Sequence, residues 1–140
     1  MDDEQAVLLR RVILRLARSF NSSATDEDLT PTQASVLGVV AGRGPVLLAE
    51  VARVENLNPS MASRVIGALD ERGLIERTPD PNDLRAATLA VTEMGRAVHR
   101  RIKERRAAVI RSSAERLTPE EHEALVQALP ALESLARLIG

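Results

Sequence analysis

Apolar residues recur along this chain at two different periods, and the change from one to the other outlines its elements. From residue 4 to 20, Val7, Leu8, Val12, Leu16 and Phe20 fall on one helical face, with Leu9 and Ile13 beside them. Asn21 to Asp28 is polar and reads as a loop. Thr30-Pro31-Thr32-Gln33 has the form of a capping box, so a helix starts there and runs to about Ala41, with Val36, Leu37, Val40 and Ala41 as its buried side. Gly42-Arg43-Gly44-Pro45 is a turn, and Val46–Leu47 a short extended piece. A third helix is expected from Leu48 to about Glu55, then a link at Asn56-Leu57. The next helix is punctuated at both ends: Asn58 as N-cap, Pro59 at the first position, Gly73 to end it. Ala62, Val65, Ile66 and Leu69 form its inner stripe.

After Gly73 the period shortens to that of extended chain. Leu74–Thr78 and Ala86–Val91 read as two strands, the second alternating Thr88 and Ala90 against Leu89 and Val91. The segment between them, TPDPNDLR, is a loop by composition. Thr92 caps a long helix reaching about Arg116, with Glu93 well placed in its first turn. Thr118-Pro119-Glu120-Glu121 is a second capping box, opening a last helix with Leu125, Leu129, Leu132, Leu135, Leu138 and Ile139 on its apolar side. Pro130 lies within that run and is expected to kink or split it. Two short helices joined tightly, then two strands around a projecting polar loop, make a winged helix-turn-helix. The fold class is therefore mainly α with a small β wing. Residues 1–29 form an N-terminal helix and loop, 30–92 the winged lobe, and 93–140 the C-terminal helices.

Composition narrows the chemistry. In 140 residues Phe20 is the one aromatic, so the core must be aliphatic and base-stacking folds are disfavoured. The absence of Cys removes disulfides, thiol sensing, Cys nucleophiles and thiolate zinc sites. No run is long or apolar enough to cross a bilayer, and the opening MDDEQ is unlike a signal peptide, so a cytoplasmic protein is expected. Net charge is −1, so any nucleic-acid reading rests on local charge. Residues 93–116 carry eight basic groups against three acidic, and 117–140 four acidic against Arg137. The plain reading of that contrast is two solvated helix faces of opposite sign.

One face stands apart. The outer side of the helix after Asn58 carries Ser60, Met61, Ser63, Arg64 and Gly67, where a solvated helix would be dressed with Glu and Lys. Small side chains permit close approach to a DNA groove, and hydroxyls and guanidinium groups match base edges. Arg64 suits guanine, Met61 a thymine methyl, and Ser60 and Ser63 bases or phosphates; the free amides of the first turn suit a phosphate. The structural alternatives are that Ser60 helps the cap and that Arg64 pairs with Asp83 or another acid. Arg77, at a strand end, can meet a phosphate or stay solvated.

The segments LAEVA (48–52), NPSMASRVIGALDERGLIER and DPNDLRAATLAVTEMG resemble the MarR family of bacterial transcriptional regulators, and the resemblance extends over essentially the whole chain. Its most specific mark is the wing pattern Asp83-Leu84-Arg85, followed by Val91, Thr92 and Gly95. Asn82 stands where the family often has Arg, which takes a phosphate or groove contact out of the wing; Val91 replaces the usual Leu. The resemblance implies a sequence-specific DNA-binding repressor, with Arg85 entering the minor groove and Asp83 orienting it. It also implies a homodimer on a near-palindromic operator, paired through Leu8, Val12 and Leu16 at one end and Leu132, Leu135, Leu138 and Ile139 at the other. Family members commonly answer to a small anionic or phenolic effector, for which Arg15, Phe20, Met94 and Val98 are the candidate contacts. A metal sensor is the weaker reading, since His99 and His122 lie on different helices without partner histidines. No cofactor is expected. An enzyme is not expected, because no phosphate loop, nucleophile elbow or adjacent His and acid is present. The remaining alternative is a winged-helix module that binds protein rather than DNA.

Overall fold

Helix and strand punctuation in the sequence maps closely onto the architecture. In the computed structural model, which describes residues 1–22, 27–83 and 86–139, α1 spans Asp3–Ser22, α2 Pro31–Arg43, β1 Val46–Leu47, α3 Leu48–Val54 and α4 Pro59–Glu71. Then follow β2 Ile75–Thr78, β3 Thr88–Val91, α5 Glu93–Ala114 and α6 Pro119–Ile139. The chain divides into two compact units, Met1–Glu104 and Arg105–Gly140, with the boundary inside α5.

In the first unit, the Thr30 capping box forms with both of its bonds: Gln33 N–H donates to Thr30 Oγ1 at 3.2 Å and Thr30 N–H to Gln33 Oε1 at 2.9 Å. Two turns then end helices in the same way. After α3, Asn56 takes a left-handed φ of 52° and Leu57 N–H reaches back to the Ala52 carbonyl at 2.8 Å. After α4, Gly73 takes φ 70° while Leu74 N–H donates to Leu69 O at 3.0 Å and Gly73 N–H to Asp70 O at 2.8 Å. Both are the helix-ending pattern in which a left-handed residue lets later amides satisfy orphan carbonyls. The first of these makes the tight connection between α3 and α4, with Leu57 packed against the core.

Leu74 therefore belongs to the helix end and not to the strand, which starts at Ile75. Its carbonyl is taken by Thr92 N–H at 3.1 Å. The second strand is likewise shorter than its apolar run, beginning at Thr88; just before it the Ala87 carbonyl accepts from Leu48 N–H at 2.9 Å. The extended pair Val46–Leu47 joins the wing as a third strand. The sheet order is β1-β3-β2, antiparallel, with Val46 opposite Leu89 and Arg77 opposite Leu89 on the other side.

The core is wholly aliphatic, as the composition requires. Val36, Leu37, Val40, Val51, Ala62, Ile66, Leu69 and Leu89 are fully buried, joined by Val98 and Ile102 of α5, and no polar or charged residue is buried among the described residues. Thr92 and Gly95 join wing to α5. Thr92 Oγ1 donates to the Gly73 carbonyl at 2.6 Å and accepts from Gly95 N–H at 3.0 Å. Gly95 lies so close to Leu74 that a Cβ would overlap the Leu74 carbonyl.

α1 is different. Its start is capped reciprocally by Asp2 and Gln5, a device absent from the sequence reading. Its apolar face stays in solvent: Val7, Leu8, Val12, Ile13 and Leu16 are all exposed, Leu8 by 48%. In the second unit, Thr118 and Glu121 complete the expected capping box, at 2.9 and 3.2 Å. α6 buries no residue in its own chain. It runs through Pro130 without the expected split. Proline removes one N–H bond, and the strong helix formers around it (Ala128, Leu129, Ala131, Leu132) carry the helix on. Among the described residues no helix is long and apolar enough to cross a membrane.

Candidate nucleic-acid interface

α4 owes its exposed face to its buried one. Ala62, Ile66 and Leu69 are fully buried and Val65 packs beside them, which fixes the helix rotation and turns Ser60, Met61, Ser63 and Arg64 outward. Asn58 Oδ1 accepts from Met61 N–H at 2.8 Å, so Asn58 and not Ser60 supplies the cap. The first turn offers fewer free amides than its sequence suggests. Pro59 has none, that of Met61 is taken by the cap, and Ser60 N–H is the one without a partner among the described residues.

Arg64 is exposed and has no hydrogen-bond or ion-pair partner among the described residues, so the alternative pairing with Asp83 is not made. The hydroxyls of Ser60 and Ser63 are likewise unengaged, and Met61 is 46% exposed. A charged fork, two hydroxyls and a thioether thus stand together on one convex face.

The wing supplies a second projection. Arg77 is half-buried on β2 without an ion-pair partner among the described residues. Asn82 and Asp83 are exposed at the loop, where Asn82 N–H donates to Asp80 Oδ1 at 2.8 Å and Ala86 N–H to the Asp83 carbonyl at 3.0 Å. These two bonds build the turn. Arg85, the expected groove residue, lies outside the described residues.

Beside α4, α3 carries a charge cluster that sequence spacing did not announce. Glu50 lies between Arg53 at 2.7 Å and Arg43 at 3.3 Å. The hydrogen bond from Arg53, with the charges of both arginines, holds the Glu50 carboxyl below the usual carboxylate range, and the same bond raises Arg53. A second undetected group joins residues far apart in sequence: Arg101 binds Glu27 at 3.0 Å and Arg72 binds the carbonyls of Glu27 and Asp28. Only contact across the fold could reveal it, since no local period links positions 27, 72 and 101.

The candidate effector contacts are dispersed in character. Val98 is buried in the core, Met94 is 59% exposed, Phe20 is half-buried and Arg15 is exposed. Val98 is thus occupied in packing between α5 and the lobe. Among the described residues no cluster of His, Asp and Glu has metal-binding form. Of the candidate pairing residues, Leu8, Val12, Leu16, Leu138 and Ile139 are exposed, while Leu132 and Leu135 are half-buried.

Comparison with known proteins agrees with this geometry. A family model described as the MarR family matches residues 27–86. The HTH-type transcriptional repressor NicR of Pseudomonas putida is 30% identical over 91 residues, covering 65% of this chain and 58% of its own. The crystal structure of RV1404 from Mycobacterium tuberculosis superposes with a TM-score of 0.73 at 30% identity, covering 96% of this chain and 94% of that one. A variant of MepR from S. aureus, solved bound to an oligodeoxyribonucleotide, gives 0.67 at 18% identity over 94% and 97%. The matched stretch opens at Glu27 and closes at Ala86, late in the wing loop, so it holds Ser60, Met61, Ser63, Arg64, Arg77, Asn82 and Asp83. The chain belongs to the MarR family of winged helix-turn-helix, DNA-binding transcriptional regulators.

Proposed function

We propose that this protein is a repressor that reads a near-palindromic duplex as a homodimer, with one α4 in each of two successive major grooves. The observation that carries the reading is Arg64, unpartnered among the described residues, on a face of small polar side chains presented by a helix whose other side is locked into the core. Arg64 reads guanine, Ser60 and Ser63 contact bases or phosphates, and Met61 lies against a thymine methyl. Arg77, Asn82, Asp83 and Arg85 bring the wing to the backbone and minor groove. The neighbour MepR, solved on an oligodeoxyribonucleotide, and the repressor NicR support this reading.

The dimer rests on the apolar faces of α1 and α6, where Leu8, Val12, Leu16, Leu138 and Ile139 are exposed. Water-exposed leucines at this density mark a protein interface. Repression follows from occupancy, because a dimer spanning one DNA turn excludes other proteins. Release by a small anionic or phenolic effector belongs to the same proposal, with Arg15, Phe20 and Met94 as the contacts still available. Such a ligand would act by its preference for one spacing of the two recognition helices.

Fluorescence anisotropy on DNA from upstream of the protein's own gene, against a shuffled duplex at two salt concentrations, tests the reading. A preference that survives the higher salt is expected. Absence of binding to either duplex at low salt would instead favour a protein-binding winged helix, which the net charge of −1 makes the natural rival.

A further inference from the structure

Arg72 is the residue that ends α4, and its guanidinium is committed elsewhere. Nη1 donates to the Asp28 carbonyl at 2.7 Å and Nη2 to the Glu27 carbonyl at 2.9 Å. Two parallel bonds from one planar group fix orientation as well as distance. Asp28 is held in a left-handed conformation, φ 54°, which turns both carbonyls toward the same side. The Glu27 side chain, only 15% exposed, is gripped in turn by Arg101 of α5, Nε to Oε1 at 3.0 Å and Nη2 to Oε2 at 3.2 Å. Immediately after Asp28, Leu29 plunges into the core at 1% exposure.

The location gives the cluster its meaning. The winged lobe has one chain segment entering it, through residues 27–29, and one leaving it, along α5 past Arg101. Arg72 therefore ties the C-terminal end of α4 to the entering segment directly, and to the leaving one through Glu27, whose side chain Arg101 holds. α4 has no other charged link of this kind: Arg64 is unpartnered among the described residues, and its remaining anchors are apolar. The apolar face fixes which side of α4 turns outward, and the bidentate fork adds a set distance and orientation at its C-terminal end.

We infer that Arg72, Glu27 and Arg101 form a latch that sets the angle of α4 relative to the tethering segments, and so act as positioning residues for DNA reading. The inference rests on α4 being the reading helix. Its consequence is selective. A loosened latch degrades contacts that demand exact orientation, the base edges, while leaving phosphate contacts and the salt dependence intact.

The test uses the full-length protein with Glu27→Gln, Arg72→Met, Arg101→Met, and the charge exchange Glu27→Arg with Arg101→Glu. Each is measured on operator and on shuffled duplex at two salt concentrations, beside wild type. Amide hydrogen exchange without DNA is followed in residues 27–30 and 69–74. The latch predicts that each single variant weakens operator binding about fivefold, a typical coupling effect, with unchanged binding to shuffled DNA and unchanged salt slope. Charge exchange restores the preference, and Glu27→Gln speeds exchange in both segments together. The inference is overturned if the single variants discriminate like wild type, if operator and shuffled binding fall together, or if Glu27→Gln loosens residues 27–30 alone. A wild type without operator preference would sink the DNA-reading proposal, while the exchange data would still decide whether the latch couples the two segments.

Discussion

At the scale of single residues, the interface and the scaffold place opposite demands on side chains. On the DNA-reading proposal, Arg64 is useful because nothing among the described residues engages it. Arg64→Ala is expected to cost about 1–3 kcal/mol on operator DNA, the worth of one bidentate base contact, with shuffled DNA affected little in an anisotropy titration. An equal loss on both would make Arg64 a phosphate contact. Arg85→Ala should instead weaken all duplexes alike and lower the salt slope by roughly one. The scaffold residues are the reverse case. Gly95 is required by the Leu74 carbonyl against it, so Gly95→Ala should destabilise by about 3 kcal/mol, the upper range of overpacking, read as a fall in the urea midpoint. The Thr-x-x-Gly pattern was legible in the sequence as a family mark and Thr92 as the cap of α5; that the same hydroxyl also holds the Gly73 carbonyl is visible only in the fold. Glu50 gives a pH signature. Its folded carboxyl titrates below its unfolded value because Arg53 bonds it, so its contribution is present above the unfolded value and fades as pH falls through the folded one. Thermal melts of Glu50→Gln and wild type should accordingly differ at neutral pH and converge in acid, by a small amount at so exposed a site.

At the scale of elements, local rules succeeded wherever a helix announces its own ends. Thr30 with Gln33, Asn58 with Pro59, and Thr118 with Glu121 each act within one turn, and each forms as its residue types require. They failed where a distant partner decides. Leu74 looks like strand, yet its N–H is drawn back to the Leu69 carbonyl to end α4 while distant Thr92 takes its own carbonyl. Val46–Leu47 is extended as its residues predict, but its pairing as a third strand is decided by the free edge of β3. Pro130 looks like a break and is carried through by its neighbours. The Glu27, Arg72 and Arg101 group has no sequence trace at all. α1 was legible as amphipathic, but amphipathicity does not say what covers the apolar side. On the dimer reading, Leu8→Glu places a charge in that interface, and light scattering should find monomer where wild type is dimer. A variant that remains dimeric would remove this face of α1 from the interface.

At the scale of the whole molecule, an aliphatic winged lobe is flanked in sequence by helices that carry exposed apolar residues, and the net charge is near zero. So little positive charge means that nonspecific attraction to DNA is weak. On the proposed reading, discrimination then comes from how two copies of α4 and its wing fit a spaced pair of sites. That is the central claim, and it is tested most directly by letting the protein choose. The full-length protein is offered a pool of duplexes with randomised centres at physiological salt, and the retained sequences are read. Enrichment of a near-palindrome with half-sites about one DNA turn, roughly 34 Å, apart, lost in Arg64→Ala, is the predicted result. Retention of DNA without any common sequence, or the same sequence enriched by Arg64→Ala, would contradict it.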